Sequence, residues 1–143
     1  MSFADIYQIS GSAMTAQTVR LNTVASNLAN AESPATTEDG VYKARSPVFA
    51  AVYHNSLIGN HHHDIDGASV RVQDVLQSGG ALRRYEPHHP LADKDGYVFY
   101  PDVNVVEQTA DMMSASRDFE TNVDVLNNVK SMQQSLLKLG ENV

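Results

Sequence analysis

The chain is 143 residues long, enough for one domain with a respectable core. Its 10 basic and 17 acidic residues leave a net charge of −7, which excludes a phosphate-backbone partner of the kind that clustered Lys and Arg would hold, so no nucleic acid is expected. No Cys is present, so there is no disulfide framework, thiolate nucleophile or zinc–thiolate site.

Residues 1–31 read as an N-terminal assembly helix. Tyr7, Met14, Leu21 and Leu28 fall seven apart, with Val24 beside them, and a seven-residue apolar repeat keeps one seam facing another helix. Ser2 with Asp5 three residues on resembles a capping box. Gly11 costs the helix about 1 kcal/mol relative to Ala and predicts a kink or a late start. Only Asp5 and Arg20 carry charge across residues 2–31. A helix that length normally shows a charged outer face, so this one is predicted to be covered on more than one side. Pro34 disfavours α geometry at Ser33 and ends it.

Residues 32–101 read as a β-rich middle region with loops. Ala35 to Gly40 is polar and turn-rich. Val41 to Arg45 is one short candidate strand, and Val48 to Tyr53, apolar on both faces, is a second. Ser56 to Gly67 reads as an exposed loop. Val70, Val72 and Val75 mark a third strand, with Arg71 and Gln73 on its outer face, and Ser78-Gly79-Gly80 breaks it. Leu82 to Tyr85 and Tyr97 to Tyr100 are short strands with Pro87, Pro90 and an Asp95-Gly96 turn between them.

Residues 102–143 read as a C-terminal assembly helix. Asn104 with Glu107 three later is an N-cap pair, and Val105, Met112, Phe119 and Leu126 repeat at seven with Val123 flanking. Lys130 and Lys138 suit the negative end of the macrodipole, and Gly140 is placed as a C′ residue. The fold class is therefore α+β: long N- and C-terminal helices forming an antiparallel coiled-coil-like pair, with a small β-rich middle. Neither helix has obvious partner surface enough, which points to assembly with other copies. The blander alternative is a monomer in which the two helices pair and cover the sheet.

Chemistry is thinly represented. His61-His62-His63-Asp64-Ile65-Asp66, with His88-His89 elsewhere, offers metal-type ligands, but adjacent residues point in different directions and Gly and Asn flank the run. An exposed loop that takes up metal adventitiously is favoured over a native site. Asp93-Lys94-Asp95-Gly96 begins like a calcium loop, yet its sixth and twelfth positions are Val98 and Asn104 where Gly and Glu are required, so a hairpin turn explains it. There is no Gly-x-Ser-x-Gly elbow, Gly-x-Gly-x-x-Gly or P-loop. No catalytic, cofactor or metal residue is nominated, and no enzyme is expected. The apolar runs are far short of the ~20 residues that span a bilayer, so no membrane insertion is expected. The opening has no basic region and its first cation is Arg20, so a cleavable secretory signal is not expected either.

Leu21-Asn22-Thr23-Val24-Ala25-Ser26-Asn27-Leu28-Ala29-Asn30-Ala31 resembles the N-terminal signature of flagellar rod and hook proteins, and Ile9 to Gln17 fits the same family. Tyr85-Glu86-Pro87, Pro90-Leu91-Ala92-Asp93, Gly96-Tyr97-Val98, Met113 to Arg117, Asn122 to Asn127 and Lys130-Ser131-Met132 resemble the proximal-rod branch. The departures are the loop from His54 to Asp64, and His88-His89 where Gly-Asn is common. The resemblance implies a structural subunit of the bacterial flagellar basal-body rod in the periplasm. It also implies export by the flagellar type III apparatus, with terminal helices layered around a hollow channel and torque carried along the shaft. Its implied partners are other rod subunits, proximal and distal, the rod–membrane-ring adaptor, the export gate and a rod-capping protein. The alternative is a soluble coiled-coil adaptor binding a single cytoplasmic partner.

Overall fold

A computed structural model describes residues 2–55 and 65–141. In chain order they form α1 (Phe3–Asn30), a 3-10 turn (Glu38–Gly40), β1 (Ala44–Asn55), β2 (Ile65–Ser78), β3 (Ala81–Tyr85), β4 (Tyr97–Pro101) and α2 (Val105–Glu141). Two long helices therefore bracket a small antiparallel β region, an α+β arrangement.

The α1 helix starts on a complete capping box. Ser2 Oγ accepts the Ala4 amide at 3.0 Å, and the Asp5 carboxylate accepts the Ser2 amide in return, filling donors that a helix start leaves open. The helix runs unbroken through Gly11, contrary to the kink or late start expected there. Packing along both sides of α1 offsets the intrinsic penalty of the glycine. At α2 the Asn104 Oδ1 accepts the Val106 and Glu107 amides at 3.1 and 3.3 Å, as its spacing predicted. The other end differs: α2 continues through Gly140 to Glu141. A C′ glycine stops a helix by taking positive φ, and among the described residues only Gly79 and Gly96 do so.

Cross-helix bonds set the direction of the pair. Tyr7 reaches Gln133, Gln17 reaches Asp118 and Asn27 reaches Gln108, so α1 and α2 run antiparallel. With 28 residues against 37, α1 is about 42 Å long and α2 about 55 Å at 1.5 Å per residue. The excess projects past the start of α1 as a C-terminal overhang.

The first β element is a single long ribbon. Of the strand expected at 41–45 only Ala44 and Arg45 are in one, and they run without a break into the strand expected at 48–53 as β1, paired antiparallel along its whole length with β2. Ser46-Pro47 does not divide it, because in a two-stranded ribbon alternate N–H groups face away from the partner and a proline there forfeits no ladder bond. The pairing shifts between Val48↔Asp74 and Phe49↔Val72, which leaves Gln73 as an extra, bulged residue. That bulge resolves an oddity of the sequence. Val72 and Val75 are three apart and would lie on opposite faces of a regular strand; skipping Gln73 returns both to one face.

The second sheet pairs β3 with β4 from Ala81↔Pro101 to Tyr85↔Tyr97. Ala35, expected in a turn, adds an isolated bridge to Phe99, with N–H···O distances of 2.8 and 3.1 Å. The connection between the strands is held by Asp93 Oδ1, which accepts the Asp95 and Tyr97 amides at 2.9 and 2.8 Å. The Asp95-Gly96 turn is thus present, without calcium-loop geometry. The buried core is small and made mostly of small side chains: Ala16, Val24, Ala31, Val41, Val98, Ala115 and Val129.

Candidate assembly surface

The covered stripe of α2 follows a 4-3 repeat through Gln108, Met112, Ala115, Phe119, Asn122, Leu126, Val129 and Gln133, all buried or half-buried. The predicted heptad positions Met112, Phe119 and Leu126 are one half of this repeat. The deeper half is small: Ala115 is fully buried and Val129 nearly so, because small side chains let the helices approach. Val123 is half-buried at the margin, and Val105, 47% exposed, lies outside the stripe. On α1, Val24 is buried, Met14, Leu21 and Leu28 are half-buried, and Tyr7 is exposed with its hydroxyl donating to Gln133 Oε1 at 3.1 Å.

Both charges of α1 are used within the chain. Asp5 closes the capping box. Arg20 bonds Asp111 through Nη2 and stands 3.7 Å from Asp118 through Nη1, while Gln17 Nε2 donates to the same Asp118 carboxylate at 3.3 Å. Asp111 and Asp118 are seven apart, so one helical face of α2 presents both to one guanidinium. The opposite side of α1 is covered by the ribbon: Ser12 Oγ accepts the Val70 amide at 3.0 Å, and a Cβ at Gly67 would stand 3.8 Å from Asp5. The scarcity of charge in α1 therefore has an intramolecular cause, α2 on one flank and β1–β2 on the other. This corrects the expectation that the helix lacks partner surface of its own.

Asn27 is where three elements meet. Its Nδ2 donates to Arg45 O and Gln108 Oε1, both at 2.8 Å, and its Oδ1 accepts from the Arg45 amide and the Tyr42 hydroxyl, both at 2.9 Å. The side chain is 1% exposed and all four hydrogen-bonding positions are filled, as a buried amide requires. No sequence pattern nominated Asn27. The available signal was a weak helix former lying seven residues beyond Arg20, in line with the polar face that meets α2.

Among the described residues, three of the exposed surfaces stand out. One is a narrow, uncharged stripe of α1 that includes Thr15, Thr18, Asn22 and Ala25. Another is the outer face of the ribbon, where Phe49 and Tyr53 are exposed. The third is the overhang of α2, where Leu136, Leu137 (74% exposed) and Leu139 stand clear and an apolar cleft opens between Phe3, Gln133, Leu136 and Leu137.

The β3–β4 sheet carries the remaining structured polarity. Arg83 lies 4.3 Å from the centroid of Tyr97, and Arg84 4.5 Å from that of Tyr100. Burial, and then the hydrogen bond from Tyr100 to Glu86 at 3.1 Å, push the Tyr100 phenol above its ordinary 10.0. Among the described residues no three His, Asp or Glu side chains converge on a metal-sized site. His89 Nδ1 accepts the Leu91 amide at 3.1 Å and so closes a turn. The run His61 to Asp64 lies outside the described residues, as does the side chain of Asp66. No helix among the described residues is long and apolar enough to cross a membrane.

Residues 8–34 match the family model described as flagella basal body rod protein, and residues 94–139 match that described as flagellar basal body rod FlgEFG protein C-terminal. These spans are α1 and most of α2, the two partners of the seam. The chain is 44% identical to the flagellar basal-body rod protein FlgC of Escherichia coli O6:H1 over 99% of its own length and all of the relative's. It is 40% identical to FlgC of Salmonella typhimurium over 99% and 100%, and 34% identical to FlgC of Borreliella burgdorferi over 92% and 93%. The structural middle region is thus shared along with the helices, and the chain belongs to the FlgC family of flagellar basal-body rod proteins, structural subunits of the flagellar basal body.

Proposed function

We propose that this subunit builds the proximal part of a hollow helical rod that transmits torque and passes exported subunits along its bore. The observation that carries the reading is the set of surfaces the folded chain leaves open. The α1–α2 pair is closed internally by Arg20, Asp111, Asp118 and Asn27, yet an uncharged helix stripe, a ribbon face and a leucine-rich helix end stay exposed. Exposed apolar surface on a closed unit is the mark of an interaction site. The three surfaces lie on different parts of the molecule, so contacts between subunits are heterologous and extend into an open filament.

In this reading Tyr7 and Val105, still exposed, belong to the contacts between subunits. Met14, Leu21, Val24, Leu28, Met112, Phe119, Val123 and Leu126 set the shape of the helix pair that presents them. Other rod subunits are the immediate neighbours; the rod–membrane-ring adaptor, the export gate and a rod-capping protein are met during assembly. Export runs through the flagellar type III apparatus. Residues 3–30 fit that route, since they are built into the fold with Val24 and Asn27 buried.

The test is a strain carrying Phe119→Ala with Leu126→Ala. Loosening the pair in every copy removes the chain from purified basal bodies and abolishes swimming. Normal motility with a normal basal-body complement overturns the reading. Recovery of the wild-type chain in a soluble one-to-one complex, and not in basal bodies, would establish the adaptor role instead.

A further inference from the structure

The β3–β4 sheet has two edges of different kinds. Gly80 O accepts the Asp102 amide at 3.2 Å, and the Glu86 amide donates to Gly96 O at 2.9 Å. Both contacts continue the β3–β4 register, so these opposed pairs are hydrogen-bonded ones. Such pairs alternate along an antiparallel ladder, which makes Leu82 with Tyr100 and Arg84 with Val98 hydrogen-bonded too. Ala81, Arg83 and Tyr85 then turn their N–H and C=O groups away from β4. On the β4 side the same alternation aims Phe99 outward, where Ala35 takes both of its groups. On the β3 side no further strand is paired among the described residues. That edge keeps a row of open backbone donors and acceptors.

Side chains give the edge a sign. Arg83 and Arg84 are both exposed. Arg83 lies over Tyr97 and 5.8 Å from the centroid of Phe99 on one face, and Arg84 over Tyr100 on the other. Among the described residues neither guanidinium has a carboxylate within ion-pair distance. The Glu86 carboxylate, on the same face as Arg84, accepts the Tyr100 hydroxyl instead. Two uncompensated cations thus stand side by side in a chain of net charge −7. Stacking on the rings holds them in place, so binding a carboxylate costs them little further side-chain freedom. Leu82, 47% exposed, and Tyr85, 65% exposed, flank them. Arg and Tyr are the residue types that anchor interfaces.

We propose that the open edge of β3 takes up an extended acidic segment of another polypeptide as an added strand. Main-chain hydrogen bonds to Arg83 and Tyr85 hold the segment, and its carboxylates select the site through Arg83 and Arg84. The two arginines are adjacent and lie on opposite faces, so the segment carries two consecutive acids, with apolar neighbours that meet Leu82 and Tyr85. Beyond Ala81 the edge runs into a cleft lined by Glu38 and Asp39, so the segment is uncharged at that end. A second copy of β3 does not fit, because it would set arginines against arginines. The sheet already receives an extended residue in this manner at its other edge, through Ala35. Nothing in the contact requires the rod, and its failure would leave the rod reading intact.

The probe is the peptide Thr-Thr-Val-Glu-Glu-Val-Thr-Thr, added at millimolar concentration to the purified full chain, with Thr-Thr-Val-Lys-Lys-Val-Thr-Thr as the comparison. Amide hydrogen exchange is read by NMR. The acidic peptide is expected to slow exchange at the Arg83 and Tyr85 amides tenfold or more, while the Leu82 and Arg84 amides, already in the ladder, change less than twofold. The lysine peptide should bind at least tenfold more weakly, and about 1 M salt should weaken the acidic peptide at least fivefold. Arg83→Glu with Arg84→Glu should reverse the preference between the peptides; if that variant unfolds, the two peptides and the salt series on wild type decide. Equal protection by both peptides, salt-independent binding, or binding without slowed exchange at Arg83 and Tyr85 overturns the proposal. Protection by neither peptide also overturns it, and leaves the arginines as guards against strand pairing.

Discussion

Asn27 donates to Gln108 Oε1 at 2.8 Å, and the same amide nitrogen donates to the carbonyl of Arg45, so one side chain ties α1 to α2 and to the start of the ribbon. Asn27→Ala takes this partner from the Arg45 amide and carbonyl, the Tyr42 hydroxyl and the Gln108 side chain. A fully buried orphaned group costs about 1–3 kcal/mol, and these part-buried ones up to that amount. Urea unfolding should therefore show a larger loss for Asn27→Ala than for Gln108→Ala, which removes a single bond. Asn27→Asp should fare no better, since its second oxygen faces two acceptors.

Arg20 answers Asp111 and Asp118 across the helix pair with about a quarter of its side chain exposed. Ion pairs with that much solvent are worth about 0.2–1 kcal/mol and weaken with salt. Arg20→Gln should destabilise by about that amount at low ionic strength, and the difference from wild type should shrink in 1 M salt. A salt-independent difference would place the effect in packing.

The α1–α2 seam should be sensitive both to enlargement at its centre and to truncation at its margin. Ala115→Leu forces a larger side chain into a fully buried site, at about 1–3 kcal/mol. Phe119→Ala, at a half-buried position, should cost less than the roughly 3–5 kcal/mol of a fully buried phenylalanine. Thermal unfolding of both variants measures the contrast.

Two glycines should respond in opposite directions. Gly96 has φ of 81°, and an added Cβ would lie 2.9 Å from Tyr85 Cε2, so Gly96→Ala should destabilise by about 1–2 kcal/mol or more. Gly11 is helical with nothing within 4 Å of an added Cβ, so Gly11→Ala should stabilise the isolated chain by about 0.5–1 kcal/mol. Denaturant midpoints decide both.

Tyr100 should impose an alkaline limit. Its phenol is raised in the folded state, so the folded chain holds the proton more tightly than the unfolded one. The resulting stability is complete below the ordinary value of 10.0 and is lost as pH rises through the folded value. Tyr100→Phe should flatten the decline above pH 10 and leave the slope at neutral pH unchanged.

The helices were legible because their signals are local: the Ser2–Asp5 and Asn104–Glu107 pairs and a seven-residue period. The depth of the seam was not, since the period marks Met112 and Phe119 by hydrophobicity while burial falls on Ala115, which composition cannot single out. Gly140 misled because a glycine near a helix end signals a stop only where the chain turns left-handed. The ribbon has one strand where two were expected, because the penalty of a proline such as Pro47 depends on having a second ladder partner. The Ala35–Phe99 bridge and the Asn27 network join segments far apart in sequence, and no window along the chain contains both halves. The three open surfaces were legible only as a shortage of charge.

The bond from Tyr7 to Gln133 spans 126 positions, which makes the two extremities of the polypeptide into one structural joint. A chain fed lengthwise through a narrow passage, either end leading, cannot shut that joint until its trailing segment has emerged. Subunits of this design, if delivered by the proposed export route, arrive unlatched and acquire their stiffness only on release, where the last residues through become the hasp.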